Sequence, residues 1–376
     1  MNNLIDRKSL RRGHAAMSKQ RRVLAPFLPA VVGVVAALAL VGSGSAAGPA
    51  GPSSGASVTV MSALDAPRGL ALGPEGALYV AEAGRGGAGP CIVVRALPVC
   101  YGPTGAISRL WRGDQERIVT ALPSTINAVG DVVGPMDISM LGRGDAYVTI
   151  GFGADPALRD QLGEAGHLFG NLIKVAASGE WRAVSDVSAY ETEFNPAGGP
   201  LDSNPFGLLA EAGHQVIADA GANALLERDA NGNLSEIATF TSRPFASTDA
   251  VPTSVVRGPD GALYVGQLTG LPFTAGAANI YRVVPGQAPQ VYLSGFKTII
   301  DIAFGPEGSL YVLQYATGPF LSGNGALIRV YPDGTRETIT TALNQPTAVA
   351  VGPDGALYVS NHGNSVGSGE VIRIEL

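Results

Sequence analysis

Charge and aromatic side chains are both scarce in this sequence. Only 15 % of its 376 residues are Asp, Glu, Lys or Arg, and only 6 % are Phe, Trp or Tyr. With 31 acidic residues against 25 basic ones, the chain has no basic footprint for nucleic acid or anionic lipid. Any binding surface must rest on few aromatic residues. Histidine occurs four times, and His14, His167, His214 and His362 show no metal-ligand spacing. Two cysteines exclude a Cys/His cluster. No Gly-x-Ser-x-Gly elbow and no phosphate-binding loop occurs. The apolar run from Ala30 to Val41 falls short of the ~20 residues that span a bilayer comfortably.

What is plentiful is punctuation. The chain has 51 Gly and 26 Pro within 46 % hydrophobic residues, enough for a large core but broken too often for long helices. The N-terminus stands apart. Arg7, Lys8, Arg11, Arg12, Lys19, Arg21 and Arg22 precede the apolar run, and Ser45-Ala46-Ala47 offers small residues for cleavage. Residues 1–47 therefore read as a secretory signal peptide, and 48–57, "GPAGPSSGAS", as a flexible tether. The leader holds seven of the basic residues and one acidic residue, which leaves 18 against 30 and a net charge of about −12 on the mature chain. The expected location is secreted, with no stable membrane insertion after cleavage and no nucleic-acid partner.

The string "GPDGALYV" stands at 258–265 and again at 352–359, with "GPEGALYV" at 73–80 and "GPEGSLYV" at 305–312. Two weaker copies, "GRGDAYV" at 142–148 and "AEAGHQVIADAG" at 210–221, bring the count to six. A short apolar run precedes each turn, and in five units a proline precedes that run: Pro67, Pro135, Pro205, Pro252 and Pro346. Each unit thus reads as strand, tight turn, strand. Proline presets φ at the second turn position, and the last glycine takes positive φ at the exit. A third strand follows in every unit, with one basic residue each: Arg109, Lys174, Arg228, Arg282, Arg329 and Arg373. A fourth strand follows in five units, and the sixth ends at Leu376 without one. At the other end, "SVTVMSALDAPRGLAL" has the layout of "RETITTALNQPTAVAV", running from fourth strand to first. Strand 58–64 should therefore complete the last blade. Four-stranded units repeated radially make an all-β, six-bladed β-propeller over 58–376. Seven blades, with one repeat missed, is the alternative.

These residues carry a family resemblance. The repeat resembles NHL and related six-bladed propellers. "CYGPTGAISRL" at 100–110, "LDSNPFGLL" at 201–209 and "IADAGANALLERDANGN" at 217–233 are similar to the ScyD/ScyE family of exported bacterial proteins. That resemblance implies a secreted propeller of unestablished activity and supplies no catalytic residue. The wider superfamily includes metal-dependent lactonases and quinone-dependent sugar dehydrogenases, and no motif specific to either is present.

In a propeller, the loops entering each first strand and leaving each second strand ring the channel mouth. Two residues beyond the strand-two valine stand Glu82, Ile150, Asp219, Gln267, Gln314 and Asn361. The five polar ones either line a binding site or tie a loop to a neighbouring strand, through the strand-three base. Two residues past each proline, or its equivalent, stand Gly69, Asp137, Gly207, Ser254, Asp301 and Ala348. Asp137 and Asp301 face each other across a six-fold channel. With Asn204 they are the expected ligands of a Ca²⁺ ion, unless each simply caps a turn. Arg68 and Phe206 at the mouth would suit a small organic anion. The preferred function is a propeller that binds a small molecule or partner segment at its mouth. The alternative is a divalent-metal-dependent lactonase or esterase, and a quinone-linked oxidoreductase ranks last for want of a basic cluster to grip the cofactor.

Repeat spacing is uneven. Turns are 47 residues apart between Gly258, Gly305 and Gly352, but 69 apart from Gly73 to Gly142 and 68 from there to Ala210. The excess lies at 83–104 and 151–168, between second and third strands of adjacent blades. The first stretch holds Cys91 and Cys100, expected to be oxidised in an exported protein. The two loops should overhang the mouth, and deleting 86–99 should leave the ring's stability nearly unchanged.

Overall fold

In a computed structural model of the chain, the described residues are 56–142, 144–240 and 249–376. The leader and most of the tether lie outside them, and Ser57 already belongs to a strand. Among the described residues, six separate antiparallel sheets follow one another, each with at least four strands. The protein is a six-bladed β-propeller. The inner strands are Pro67–Leu72, Pro135–Leu141, Pro205–Glu211, Pro252–Arg257, Ile299–Phe304 and Ala348–Val351. Each packs beside the inner strands of both neighbouring sheets, Pro67–Leu72 beside Ala348–Val351 included, so the six surround an axis. Ser57–Leu64 forms the outer strand of the sixth blade, paired with Gly369–Ile374.

The repeated string builds one end of each blade. Gly258 N donates to Ala262 O at 2.8 Å, Gly261 N donates to Gly258 O at 3.0 Å, and Gly261 takes φ 80°. Asp260 caps the turn by accepting from Ala262 N at 3.2 Å, and it also accepts from Arg282 Nε at 2.7 Å. The same partnership recurs as Glu307 with Arg329 at 2.9 Å, Asp354 with Arg373 at 2.7 Å and Asp145 with Lys174 at 2.7 Å. In these four blades the strand-three base answers the acid of the inner turn. It does not tie the polar residues that close the second strands, the role the sequence offered for it.

At the opposite end the ladder slips. In five blades the register shifts after the first inner-strand residue, between Pro67 and Leu70, Pro135 and Asp137, Pro205 and Gly207, Pro252 and Ser254, and Ile299 and Asp301. A bulge of this kind takes a residue out of pairing and re-aims its side chain. The residues so released include Arg68, Met136, Phe206, Thr253 and Ile300. Between blades the cores are apolar: Ala81 and Ile107 of blade one meet Ile138, Val148 and Ile173 of blade two.

The two insertions are not bare loops. In the first, Cys91–Val94 pairs with the start of a 15-residue third strand, Leu97–Trp111, which runs beside a 14-residue fourth strand, Asp114–Asn127. Cys91 and Cys100 are opposite one another in this hairpin and form a disulfide. The second insertion makes two short 3₁₀ segments, Pro156–Leu162 and Glu164–Leu168. The two pack together, because Ile92, Phe152, Ala154, Leu162 and Phe169 share one buried cluster. Tyr101 and Phe152 stack against Phe169 at ring-centre distances of 6.3 and 5.7 Å. Arg95 at the hairpin tip donates to Gly153 O at 2.9 Å and pairs with Asp202.

Candidate functional site

The bulged end of the inner strands and the ends of the second strands meet on the face opposite the repeated turns. The polar residues closing the second strands are spent on internal bonds there. Glu82 accepts from Asp65 N at 2.6 Å, Asp219 from Asn204 N at 2.6 Å, Gln314 from Lys297 N at 2.7 Å and Asn361 from Asn344 N at 2.8 Å. In each case the side chain latches the segment that enters its own blade. Glu82 also takes Ser108 Oγ at 2.5 Å and Arg117 at 2.7 and 2.9 Å. Asp219 also takes Ser203 Oγ at 2.7 Å and the amides of Gly221 and Ala222 at 3.1 Å. Burial pushes its pKa up to about 6. Gln267 varies the theme by accepting from Asn279 N at 3.2 Å. The geometry therefore supports the tying role for these five.

Asp137 and Asp301 are staples between blades. Asp137 accepts from Ile138 N at 2.8 Å and from Leu208 N of the next blade at 2.7 Å. Asp301 accepts from Ile302 N at 2.8 Å and from Val349 N of the next blade at 2.8 Å. Each keeps some accessible surface yet sits deep among protein atoms. Burial raises both pKa values, Asp301 to about 7, and the field of Asp301 adds to the rise at Asp137. In each side chain both oxygens are already engaged by backbone amides, which is the turn-capping and stapling role and not that of an open Ca²⁺ ligand. Asn204 does not join them: its Oδ1 accepts from Phe152 N at 3.1 Å, at the blade-two insertion. Among the described residues, no group of three His, Cys, Asp or Glu is placed to hold a metal.

Small residues at the neighbouring positions make room for the staples. A Cβ on Gly69 would fall on the Asp137 side chain, and one on Gly207 would lie 2.7 Å from Ser254 Cα. Packing at the axis imposes glycine there.

Arg68 is the residue that remains. Its bulge turns it between blades six and two. It donates to Gly363 O, to Val132 O at 2.6 Å and to Asn364 Oδ1 at 2.8 Å. Asn364 Nδ2 in turn donates to Tyr315 OH at 3.0 Å and lies 3.5 Å from Asp131 Oδ1. Burial lowers the pKa of Arg68, against the fields of Tyr315 and Asp131. Around the rest of the mouth, Phe206, Leu268 and Tyr315 are half-buried and pack against the cluster that contains Ile300. Sequence reasoning found Arg68 and Phe206 but missed Tyr315, Asn364 and Leu268. The signal for Leu268 and Tyr315 was their place, one residue past Gln267 and Gln314. Asn364 had none, because its role depends on a neighbouring blade.

Surface hollows lie elsewhere on the molecule. A surface cleft of about 680 Å³ lined by Asp145, Lys174 and Trp181 sits at the turn end of blade two, where Lys174 and Asp145 pair with each other.

No family model and no curated protein matches the sequence. Solved structures do match the fold. A putative gluconolactonase aligns over 86 % of this chain and 93 % of its own, at TM-score 0.52 and 12 % identity. A luciferin-regenerating enzyme aligns over 87 % and 96 %, at TM-score 0.51 and 12 % identity. A protein of unknown function from Bacteroides thetaiotaomicron aligns over 83 % and 70 %, at TM-score 0.53 and 8 % identity. At these identities the likeness is one of fold alone.

Proposed function

We propose that this chain is an exported propeller of the ScyD/ScyE kind that binds a small molecule at its channel mouth. One observation carries the reading. The bulged inner strands and the loops after the second strands bring Arg68, Asn364 and Tyr315 into one polar network, beside the half-buried apolar residues Phe206 and Leu268. Blade packing alone does not require an arginine there, since the equivalent bulged residues are Met136, Phe206, Thr253 and Ile300. An apolar wall with a few convergent polar groups is the usual make-up of a ligand site. The Cys91–Cys100 bond fits an oxidising compartment, and the N-terminal leader fits export.

The test is native mass spectrometry of the mature protein for a co-purifying molecule, followed by thermal melts with that molecule. Phe206→Ala is expected to weaken its binding about 10-fold while the fold survives, from loss of a buried aromatic contact. Unaltered binding places the site elsewhere. The rival reading, a metal-dependent hydrolase, is tested by melts in EDTA and in excess Ca²⁺. A bound metal would raise stability by ~2.7 kcal/mol at 100-fold excess over Kd. No shift is expected, and a Ca²⁺-dependent shift lost in Asp137→Asn would favour the hydrolase.

A further inference from the structure

Two arginines are buried among the described residues, and they are treated differently. Arg159 sits against Asp186 at 2.8 Å. Arg68, only 6 % exposed, is met by neutral oxygens alone, from Gly363, Val132 and Asn364, and its Nε has no hydrogen-bond partner. Asp131 is the nearest acid whose field it feels, and that side chain is exposed and bonded to Asn127 Nδ2 at 3.2 Å. Taking a charge out of water without a counter-ion is costly, and the usual remedy is a paired carboxylate. Here the fold supplies carbonyl and amide oxygens that orient the guanidinium and leave its charge uncancelled.

The surroundings suit an apolar body next to that charge. Tyr315 is joined to Arg68 through Asn364, and Phe206 and Leu268 pack with Tyr315 against one apolar cluster. The loops that follow Leu268 and Tyr315 carry Leu271, 68 % exposed, and Phe320, 70 % exposed, on the same face of the ring. Exposed apolar tips beside a ligand site extend its apolar surface outward.

We propose that the ligand of the mouth is an organic anion, an oxyacid group on an apolar or aromatic body, whose acid group is the missing counter-ion of Arg68. The inference rests on the mouth being the binding site and adds the sign of the ligand's charge. Charge-assisted hydrogen bonds from a guanidinium to an oxyacid exceed those to a neutral amide, so the preference is large.

The experiment uses the mature protein, with 2-naphthoate and the isosteric neutral 2-naphthamide as probes, titrated by calorimetry. The expected result is that naphthoate binds at least about 10-fold tighter than naphthamide, with an affinity that falls as salt rises. Arg68→Gln should erase the preference. Because removing Arg68 can disturb the ring, Asn364→Asp is the second variant: it places a carboxylate beside the guanidinium, cancels the charge internally and should erase the preference while the fold, read by far-UV circular dichroism, holds. Equal binding of the two probes to the wild type, or a preference that survives Asn364→Asp, overturns the anion inference and leaves the mouth as a neutral site. Failure of both probes to bind the wild type overturns the reading of the mouth itself.

Discussion

Asp301 accepts two backbone amides and still holds its proton to about pH 7, so it links the stability of the ring to pH. Its folded pKa lies above the ordinary ~3.9 of an unfolded aspartate. The folded state therefore binds the proton more tightly, and that contribution is complete below about pH 4 and lost as pH rises towards 7. Glu191, raised to about 7 by burial, and Asp219, raised to about 6, act with the same sign. The turn acid Asp354, lowered mainly by Arg373, acts with the opposite sign and loses its contribution in acid. The urea midpoint should therefore fall between pH 5 and pH 8, and Asp301→Asn should flatten that fall. A midpoint that rises over this range contradicts the burial of these groups. Gly207 gives a second residue-scale prediction. Its Cβ would press on the Ser254 backbone, so Gly207→Ala should cost about 1–3 kcal/mol in a denaturant melt. No cost would mean that the inner strands of blades three and four stand further apart.

At the scale of elements, the insertion of blade one is a stapled hairpin that shares a core with its neighbour. The sequence led to the expectation that deleting 86–99 would leave stability nearly unchanged. Ile92 is buried against the cluster of Phe152, Leu162 and Phe169, so deletion uncovers that cluster. The prediction becomes a lower melting temperature and faster hydrogen exchange over 152–169. Ile92→Ala alone should cost about 2–4 kcal/mol locally. Exchange in 152–169 that is untouched by either change would mean that the two insertions do not lean on each other. Replacing both Cys91 and Cys100 by alanine removes a short loop closure. It should cost at most ~3 kcal/mol, read as faster exchange in 91–101 with the ring's exchange unaltered.

At the scale of the molecule, the ring depends on its outer strand from the N-terminus. Met61 and Leu64 are buried, and their strand covers the edge of Gly369–Ile374. An uncovered edge invites pairing with other chains. A variant that begins at Asp65 should melt roughly 10 °C lower or more, as loss of several buried side chains implies, and should self-associate in light scattering. A stable monomer would show that the sixth blade does not need this strand.

The sequence by itself determined the number of blades, the strand order and the cysteine pair. Each rests on local chemistry: a turn needs its proline and glycine, a strand its alternation, and two cysteines nine residues apart in one hairpin can meet without help from the rest of the chain. The sequence also named Arg68 and Phe206 at the mouth and Asp137 and Asp301 as facing the axis. What it could not assign was how they are used. Asp137 and Asp301 are staples because the amides of Leu208 and Val349 arrive from the next blade. Glu82 and its counterparts are latches because the chain entering each blade returns past them. Arg68 is left without a counter-ion by Gly363, Val132 and Asn364, which come from other blades and connections. Burial and partnership between residues as many as 296 positions apart are decided only when the ring closes, and no local pattern encodes them.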